Sequence, residues 1–195
     1  MATVTEKPLA GKWMLNFKGV HNFENLYKMM FEFLTSRGFV HPEGDENIEE
    51  YYNEVILPGG GAKNVWFWWR TVKKHSELFD LEIDVDCQLL VHKKKEIMHN
   101  NQKIKTHDGE ILLSINARVI FDRKEKWQKG AISQLLWDYI YRYHYRSQID
   151  NNEDDLFDIV NDLFERVKQY LGLMTLSDRA PLFHPEGGYP QPVGG

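Results

Sequence analysis

Residues 81–89 read Leu-Glu-Ile-Asp-Val-Asp-Cys-Gln-Leu, and this stretch does most to decide the fold class. Apolar side chains alternate with polar ones, which is the period of a β-strand with one buried face. Glu82, Asp84 and Asp86 fall on the other face, about 6.5–7 Å apart because each residue rises about 3.3 Å. Carboxylates so spaced could hold a cation or support acid–base catalysis. We expect instead that they form the solvent side of the strand.

Segments of similar extended character lie before and after this strand, and turn signals separate them. The run Pro58–Asn64 is rich in glycine and predicts a hairpin tip. Asp108-Gly109 favours a type I′ hairpin turn, because both residues tolerate positive φ. The other segments predicted as strands are Lys12–Lys18, Tyr51–Leu57, Val65–Val72, Ile97–Thr106 and Glu110–Phe121.

Helical spacing of apolar residues predicts three helices. Asn22 provides an N-cap for the first helix and Gly38 a stop signal. For the last helix, Asn152 or a neighbouring residue is the predicted N-cap and Gly172 the stop. The three helices are predicted over Phe23–Leu34, Ala131–Arg146 and Glu153–Leu171.

The predicted element order is β-α-β-β-β-β-β-α-α. This order is typical of an α+β protein, in which an antiparallel sheet of about five to six strands packs against helices. Residues 1–176 are predicted to form one such domain, since a chain of 195 residues suits a single core. Residues 177–195 hold four prolines and four glycines, and they predict an extended C-terminal arm.

Composition and charge narrow the classes of function. A net charge of -5 and a pI of about 5.9 argue against a general nucleic-acid binder. The chain lacks both a membrane-spanning apolar run and the apolar stretch of a signal peptide, so a location in the cytoplasm or in a virion is expected. Its single cysteine, Cys87, fits a reducing compartment. No histidine pair has the spacing of a helical zinc site, so neither a metal nor any other cofactor is predicted.

Large aromatic side chains fall on both faces of the strand predicted at Val65–Val72. Phe67 and Trp69 point to one face, whereas Trp66 and Trp68 point to the other, so both faces need cover. If the sheet curves around a helix, three aromatic residues could line a cavity for an apolar ligand: Tyr52, Trp66 and Trp68.

The segment after residue 91 is basic. We interpret it as a solvated strand face, with a surface for an anionic ligand or a polynucleotide as the alternative. Aromatic residues do not interleave with its lysines as they do in RNA-binding motifs, which disfavours nucleic acid. The residues concerned are Lys93, Lys94, Lys95, Lys103 and Lys105, beside His92, His99 and His107.

Two segments near the C-terminus are predicted to bind other protein subunits. One is the second face of the helix over residues 131–146, which is too aromatic for free solvent, the alternative being that the following helix covers it. The other is the C-terminal arm, which prolines stiffen and which could reach about 45 Å at about 3.1 Å per residue, the alternative being a flexible tail without function. The predicted contact residues are Trp137, Tyr141 and Tyr145 on the helix, and Leu182, Phe183 and Tyr189 in the arm.

The order of a strand, a helix, an antiparallel meander and a long closing helix resembles the helix-grip plan of START-like domains. The segments that carry this resemblance are Trp13–Phe17, Phe23–Leu34, Tyr51–Phe121 and Leu156–Leu171. The resemblance implies a pocket for an apolar small molecule. The helix predicted at residues 131–146 departs from that plan.

A second resemblance is to small uncharacterised proteins of archaea and tailed phages. It rests on Leu26-Tyr27-Lys28 in the first helix, on Gly38-Phe39 after it, on the strand Trp66–Trp69 and on the closing helix Leu156–Leu171. The resemblance suggests a genomic setting and implies no activity.

Three functions follow as hypotheses. The preferred one is a non-enzymatic structural or adaptor subunit of a larger protein assembly, such as a phage-type particle, because it accounts for the surplus of aromatic surface. The alternative is a START-like domain that binds an apolar small molecule. An enzyme that uses Glu82, Asp84 or Asp86 ranks last, since no nucleophile and base are recognisable together.

Overall fold

The computed structural model describes residues 9–44, 47–58, 61–76, 78–99, 102–121 and 146–173. Within these residues it has five strands and two helices, so the α+β class predicted from the sequence is confirmed. The strands are β1 (Leu9–His21), β2 (Glu49–Ile56), β3 (Ala62–Lys74), β4 (Phe79–His99) and β5 (Gln102–Phe121). The helices are α1 (Phe23–Ser36) and α2 (Arg146–Tyr170).

The five strands form one antiparallel sheet in the order β1-β5-β4-β3-β2. The strands from β2 to β5 follow one another as a meander, and β1 joins the sheet beside β5. Strands β4 and β5 make the longest pairing, which runs from Phe79 opposite Phe121 to His99 opposite Gln102. As a result, β1 and β2 are the outer strands of the sheet in the described part of the chain.

Both helices pack on the same face of the sheet, which we call the helix face. Helix α1 lies over β3, where the rings of Tyr27 and Trp69 have centroids 4.8 Å apart. Helix α2 lies over β1 and β5, and its Phe157 ring lies 5.1 Å from that of Trp13. The core between the sheet and the helices takes alternate residues of each strand, as the period of two requires.

The ends of the helices follow the sequence signals in three of four cases. The side-chain oxygen of Asn22 accepts a hydrogen bond from the Asn25 N–H at 3.3 Å, so the predicted N-cap of α1 is confirmed. Gly38 and Gly172 have φ values of +81° and +69°, the left-handed conformation in which glycine ends helices. The predicted N-cap Asn152 is wrong, because this residue lies buried inside α2.

The hairpin turn predicted at Asp108-Gly109 is also wrong, since both residues lie within β5. A Cβ atom at position 109 would come within 3.0 Å of the Leu90 carbonyl oxygen and of the His92 Cα. Glycine is needed here because β4 has a bulge between Leu90 and Lys93 that approaches the β5 backbone closely.

Some predicted segments have other bounds in the structure, and others fall outside the described residues. The predicted segment Ile97–Thr106 is divided, because Ile97–His99 end β4 whereas Gln102–Thr106 lie in β5 together with Glu110–Phe121. The described chain therefore has five strands, the lower of the two numbers predicted. Residues 131–145 of the predicted middle helix and the whole C-terminal arm at 177–195 lie outside the described residues. The hairpin predicted between β2 and β3 is confirmed by their pairing, although Ala62–Asn64 of the predicted tip lie in β3.

Candidate interaction surface and cavity

The sheet face opposite the helices, which we call the distal face, carries ion pairs at its centre. Arg118 of β5 donates hydrogen bonds to Glu82 at 3.2 Å and to Asp84. Arg70 of β3 places its Nη2 atom 2.8 Å from Asp86 Oδ1. Glu82 and Asp84 are buried, so the expectation that the three carboxylates form the solvent side of the strand is wrong for these two, whereas the side chain of Asp86 is partly exposed.

These ion pairs engage the carboxylates that an acid–base mechanism or a cation site on β4 would use. Arginines from both neighbouring strands supply the opposite charge, and such planar donors suit carboxylate partners. The arrangement is therefore that of a structural network that joins β3, β4 and β5.

Beside the ion pairs, the distal face becomes apolar at the β2 edge. The rings of Tyr51 and Trp68 stack across the β2–β3 pair, with centroids 4.4 Å apart and planes 23° apart. Val55 lies on the same face of β2 and is 43% exposed, and Trp66 lies opposite Asn53 in the same register. We call this group the β2 corner, and its members are Tyr51, Val55, Trp66 and Trp68.

The other outer strand, β1, also presents an apolar side chain on the distal face. Met14 is 69% exposed, and the exposed Lys12 and Lys18 stand on either side of it. Strand β1 contains these two lysines and no acidic residue, whereas β2 contains three glutamates and no lysine or arginine. The two outer strands thus carry charges of opposite sign.

A shallow cavity of about 450 Å³, wide open to solvent, lies on the helix face between α1 and β2. The Tyr27 hydroxyl of α1 donates a hydrogen bond of 2.6 Å to Glu49 of β2, which ties the helix to the strand. Burial and, next, this hydrogen bond raise the pKa of Tyr27, so its hydroxyl keeps its proton at neutral pH. The residues that line the cavity are Phe23, Glu24, Tyr27, Lys28, Glu49 and Tyr52.

The aromatic wall of this cavity is held from behind. The Tyr27 ring makes edge contacts with Phe67 and Trp69, at centroid distances of 5.3 and 4.8 Å. The Phe23 ring lies 5.8 Å from Phe67. Because α1 and β3 supply these rings from rigid elements, the wall is preorganised.

Three histidines from three strands stack beside the cavity wall. The rings of His21 and His107 lie 5.2 and 4.1 Å from the ring of His92, which is 3% exposed. In the described part of the chain neither ring nitrogen of His92 has a hydrogen-bond partner. Burial and then the two neighbouring histidines lower the pKa of His92 to about 3, and burial also lowers the pKa of His21 and His107. All three are therefore neutral at pH 7.

The bulge in β4 is what places His92 on the helix face. Val91 has φ of +51°, a strained value for a β-branched residue, and its N–H donates to the Asn64 side chain at 2.8 Å. Before the bulge the odd-numbered residues of β4 lie on the helix face, and beyond it the even-numbered residues do. The side chain of His92 is therefore buried on the helix face. The interpretation of His92 as part of a solvated strand face is wrong for this reason, whereas His107 of β5 is half-buried against the His92 ring.

The same bulge separates the lysines that were considered as an anion site. Lys93 and Lys95 lie on the distal face, where Lys95 forms an ion pair of 3.0 Å with Asp108. Lys94 pairs with His107 in the register and lies on the helix face. The side chains of Lys103 and Lys105 fall outside the described residues. The described lysines do not converge on one site.

The three residues predicted to line a ligand cavity lie on opposite faces of the sheet. Tyr52 lines the cavity on the helix face, whereas Trp66 and Trp68 lie on the distal face. The predicted partner contacts stay predictions, because they lie outside the described residues: Trp137, Tyr141, Tyr145, Leu182, Phe183 and Tyr189. The sequence reasoning missed the Tyr27–Glu49 contact, since only the packing of α1 against β2 brings these residues together.

Comparisons of the chain with protein-family models, with curated proteins and with solved structures each find no match. Among the described residues, no group of three or more histidine, cysteine, aspartate or glutamate side chains is placed to hold a metal ion. Neither of the two described helices is long and apolar enough to cross a membrane.

Proposed function

We propose that the protein is a non-enzymatic subunit that assembles with copies of itself, the β1 edge of one copy joining the β2 edge of the next. One observation carries this proposal: both outer strands of the described sheet present exposed apolar side chains on the distal face, Met14 on β1 and Tyr51 and Val55 on β2. The unpaired backbone groups of an outer strand are a template for another strand.

Charge favours this pairing over its symmetric alternatives. Two β2 edges would bring Glu49, Glu50 and Glu54 of one copy against the same residues of another. Two β1 edges would bring Lys12 and Lys18 of each copy together. Like charges across an interface oppose association, whereas β1 against β2 brings no like charges together, because Lys12 and Lys18 lie on the distal face and Glu49 and Glu54 on the helix face.

The direction of the strands supports the same arrangement. Four antiparallel steps separate β1 from β2, so both run the same way within one copy. A copy shifted across the sheet then meets its neighbour as a parallel strand with the distal faces aligned. Met14 of one copy would pack near Tyr51 and Val55 of the next, and such head-to-tail contacts produce rings or filaments.

Sedimentation or light scattering on the full chain tests the proposal. Val55→Lys places a positive charge on the β2 edge, where the lysines of β1 would repel it, and should weaken association about tenfold or more. Val91→Lys is a matched control, because Val91 is 51% exposed, close to the 43% of Val55, and lies on β4 in the middle of the sheet rather than on an outer strand. A wild-type chain that stays monomeric at every concentration, or equal masses for the two variants, would contradict the proposal.

A further inference from the structure

We propose that the cavity between α1 and β2 binds an organic cation, an ammonium group attached to an apolar body. The cavity volume of about 450 Å³ suits a small molecule, since ligand pockets span roughly 300–1,000 Å³. It lies on the helix face, whereas the apolar contacts of the proposed association, Met14 against Tyr51 and Val55, lie on the distal face. The two proposals can therefore fail separately.

Aromatic rings supply the first part of the recognition. Phe23, Tyr27 and Tyr52 line the cavity, and the face of an aromatic ring attracts a cation through its quadrupole. Tyr27 is fixed by its 2.6 Å hydrogen bond to Glu49 and by its contact with Trp69. A ring that is already held loses little entropy when the ligand binds.

Charge supplies the second part. The lining includes two carboxylates, Glu24 and Glu49, and one ammonium group, that of Lys28. The resulting net charge of the lining is negative, so an anion would be repelled, whereas a cation would gain from both the rings and the carboxylates. A neutral apolar molecule would gain only from burial.

Titration of the full chain with three simple probes tests the inference. The probes are benzyltrimethylammonium, benzyl alcohol and benzenesulfonate, which share a benzene ring and differ in charge. Calorimetry or NMR shift changes should give binding of the cation at least about fivefold tighter than that of either other probe. Equal or tighter binding of benzyl alcohol or benzenesulfonate would overturn the inference, as would the absence of saturable binding of the cation.

Two variants locate the binding in this cavity. Glu49→Gln removes the charge but keeps an oxygen that can accept from Tyr27, and Tyr52→Leu removes a partly exposed ring. Each should weaken binding of the cation about threefold or more. Glu96→Gln, at an exposed glutamate of β4 outside the cavity, is the matched control and should leave the affinity unchanged. Variants that bind as the control does would overturn the assignment.

Discussion

Tyr51 stacks on Trp68 with ring centroids 4.4 Å apart, and this pair joins the outer strand β2 to the rest of the sheet. Aromatic cross-strand pairs contribute about 0.5–1 kcal/mol beyond alanine. We therefore expect Tyr51→Ala to lower the free energy of unfolding by about 1 kcal/mol, measured by urea denaturation at concentrations where the chain is monomeric.

Ile56→Ala is the control for this prediction. Ile56 is on the same strand but is 71% exposed, so its truncation should change the free energy of unfolding by less than about 0.5 kcal/mol. Equal losses for the two variants would show that the stacked pair adds nothing to stability.

The stacked histidines predict a loss of stability on mild acidification. The pKa of His92 is lowered to about 3 in the folded chain, chiefly by burial, from about 6.5 in an unfolded one. The unfolded chain thus binds more protons below pH 6.5, so stability is complete above that pH and is lost as the pH falls toward 3. Charges around the cluster modulate this: Lys63 and Lys94 lower the histidine pKa values, and Glu24, Glu54 and Asp108 raise them.

The measurement is the free energy of unfolding at several pH values between 7.5 and 5.5, and the quantity compared is its slope against pH. His92→Phe removes the most strongly shifted group and should flatten the slope. His41→Gln, in the loop after α1, should leave the slope as in the wild type. A wild-type stability that is constant over this range, or that increases on acidification, would contradict the role assigned to the cluster.

We predict that the thiol of Cys87 does not react with thiol reagents in the native chain. It is fully buried on the helix face of β4, and burial raises its pKa, with a smaller effect from Asp86. A thiol reagent such as DTNB should leave the native chain unlabelled over hours and label one thiol per chain after unfolding in guanidinium chloride. Rapid labelling of the native chain would mean that β4 is not covered as described.

We predict that position 109 tolerates no residue larger than glycine. A Cβ atom there would lie 3.0 Å from backbone atoms of Leu90 and His92, which a small shift of a flexible side chain cannot relieve. Gly109→Ala should lower the free energy of unfolding by about 1–3 kcal/mol. Asp108→Ala, which removes only the exposed ion pair with Lys95, should cost less than about 1 kcal/mol. Equal values for the two would contradict the close approach of the β4 bulge.

Local signals explain why much of the fold could be predicted from the sequence. The cap at Asn22 and the glycine stops at Gly38 and Gly172 act within a few residues of themselves. The alternation over residues 81–89 sets the buried face of β4 without reference to any other strand. Such features survive in the folded chain because tertiary packing agrees with them.

The features that sequence reasoning missed depend on residues far apart in the chain. Glu82 is buried because Arg118 lies beside it on the neighbouring strand. Asp108-Gly109 has the composition of a turn, yet the glycine is there to admit a bulge in another strand. That bulge also places His92 on the face opposite to the one that alternation along β4 predicts. The face of His92 therefore could not be assigned from the sequence of β4 alone.

A mixing experiment tests the head-to-tail association most directly. Met14→Glu introduces a negative charge at the β1 edge, and Val55→Lys introduces a positive charge at the β2 edge, so each variant alone should remain largely monomeric. An equimolar mixture retains one intact β1 edge and one intact β2 edge, and light scattering should report complexes of two or more chains. A mixture that stays monomeric, or a Met14→Glu variant that assembles as the wild type does, would contradict the pairing of β1 with β2.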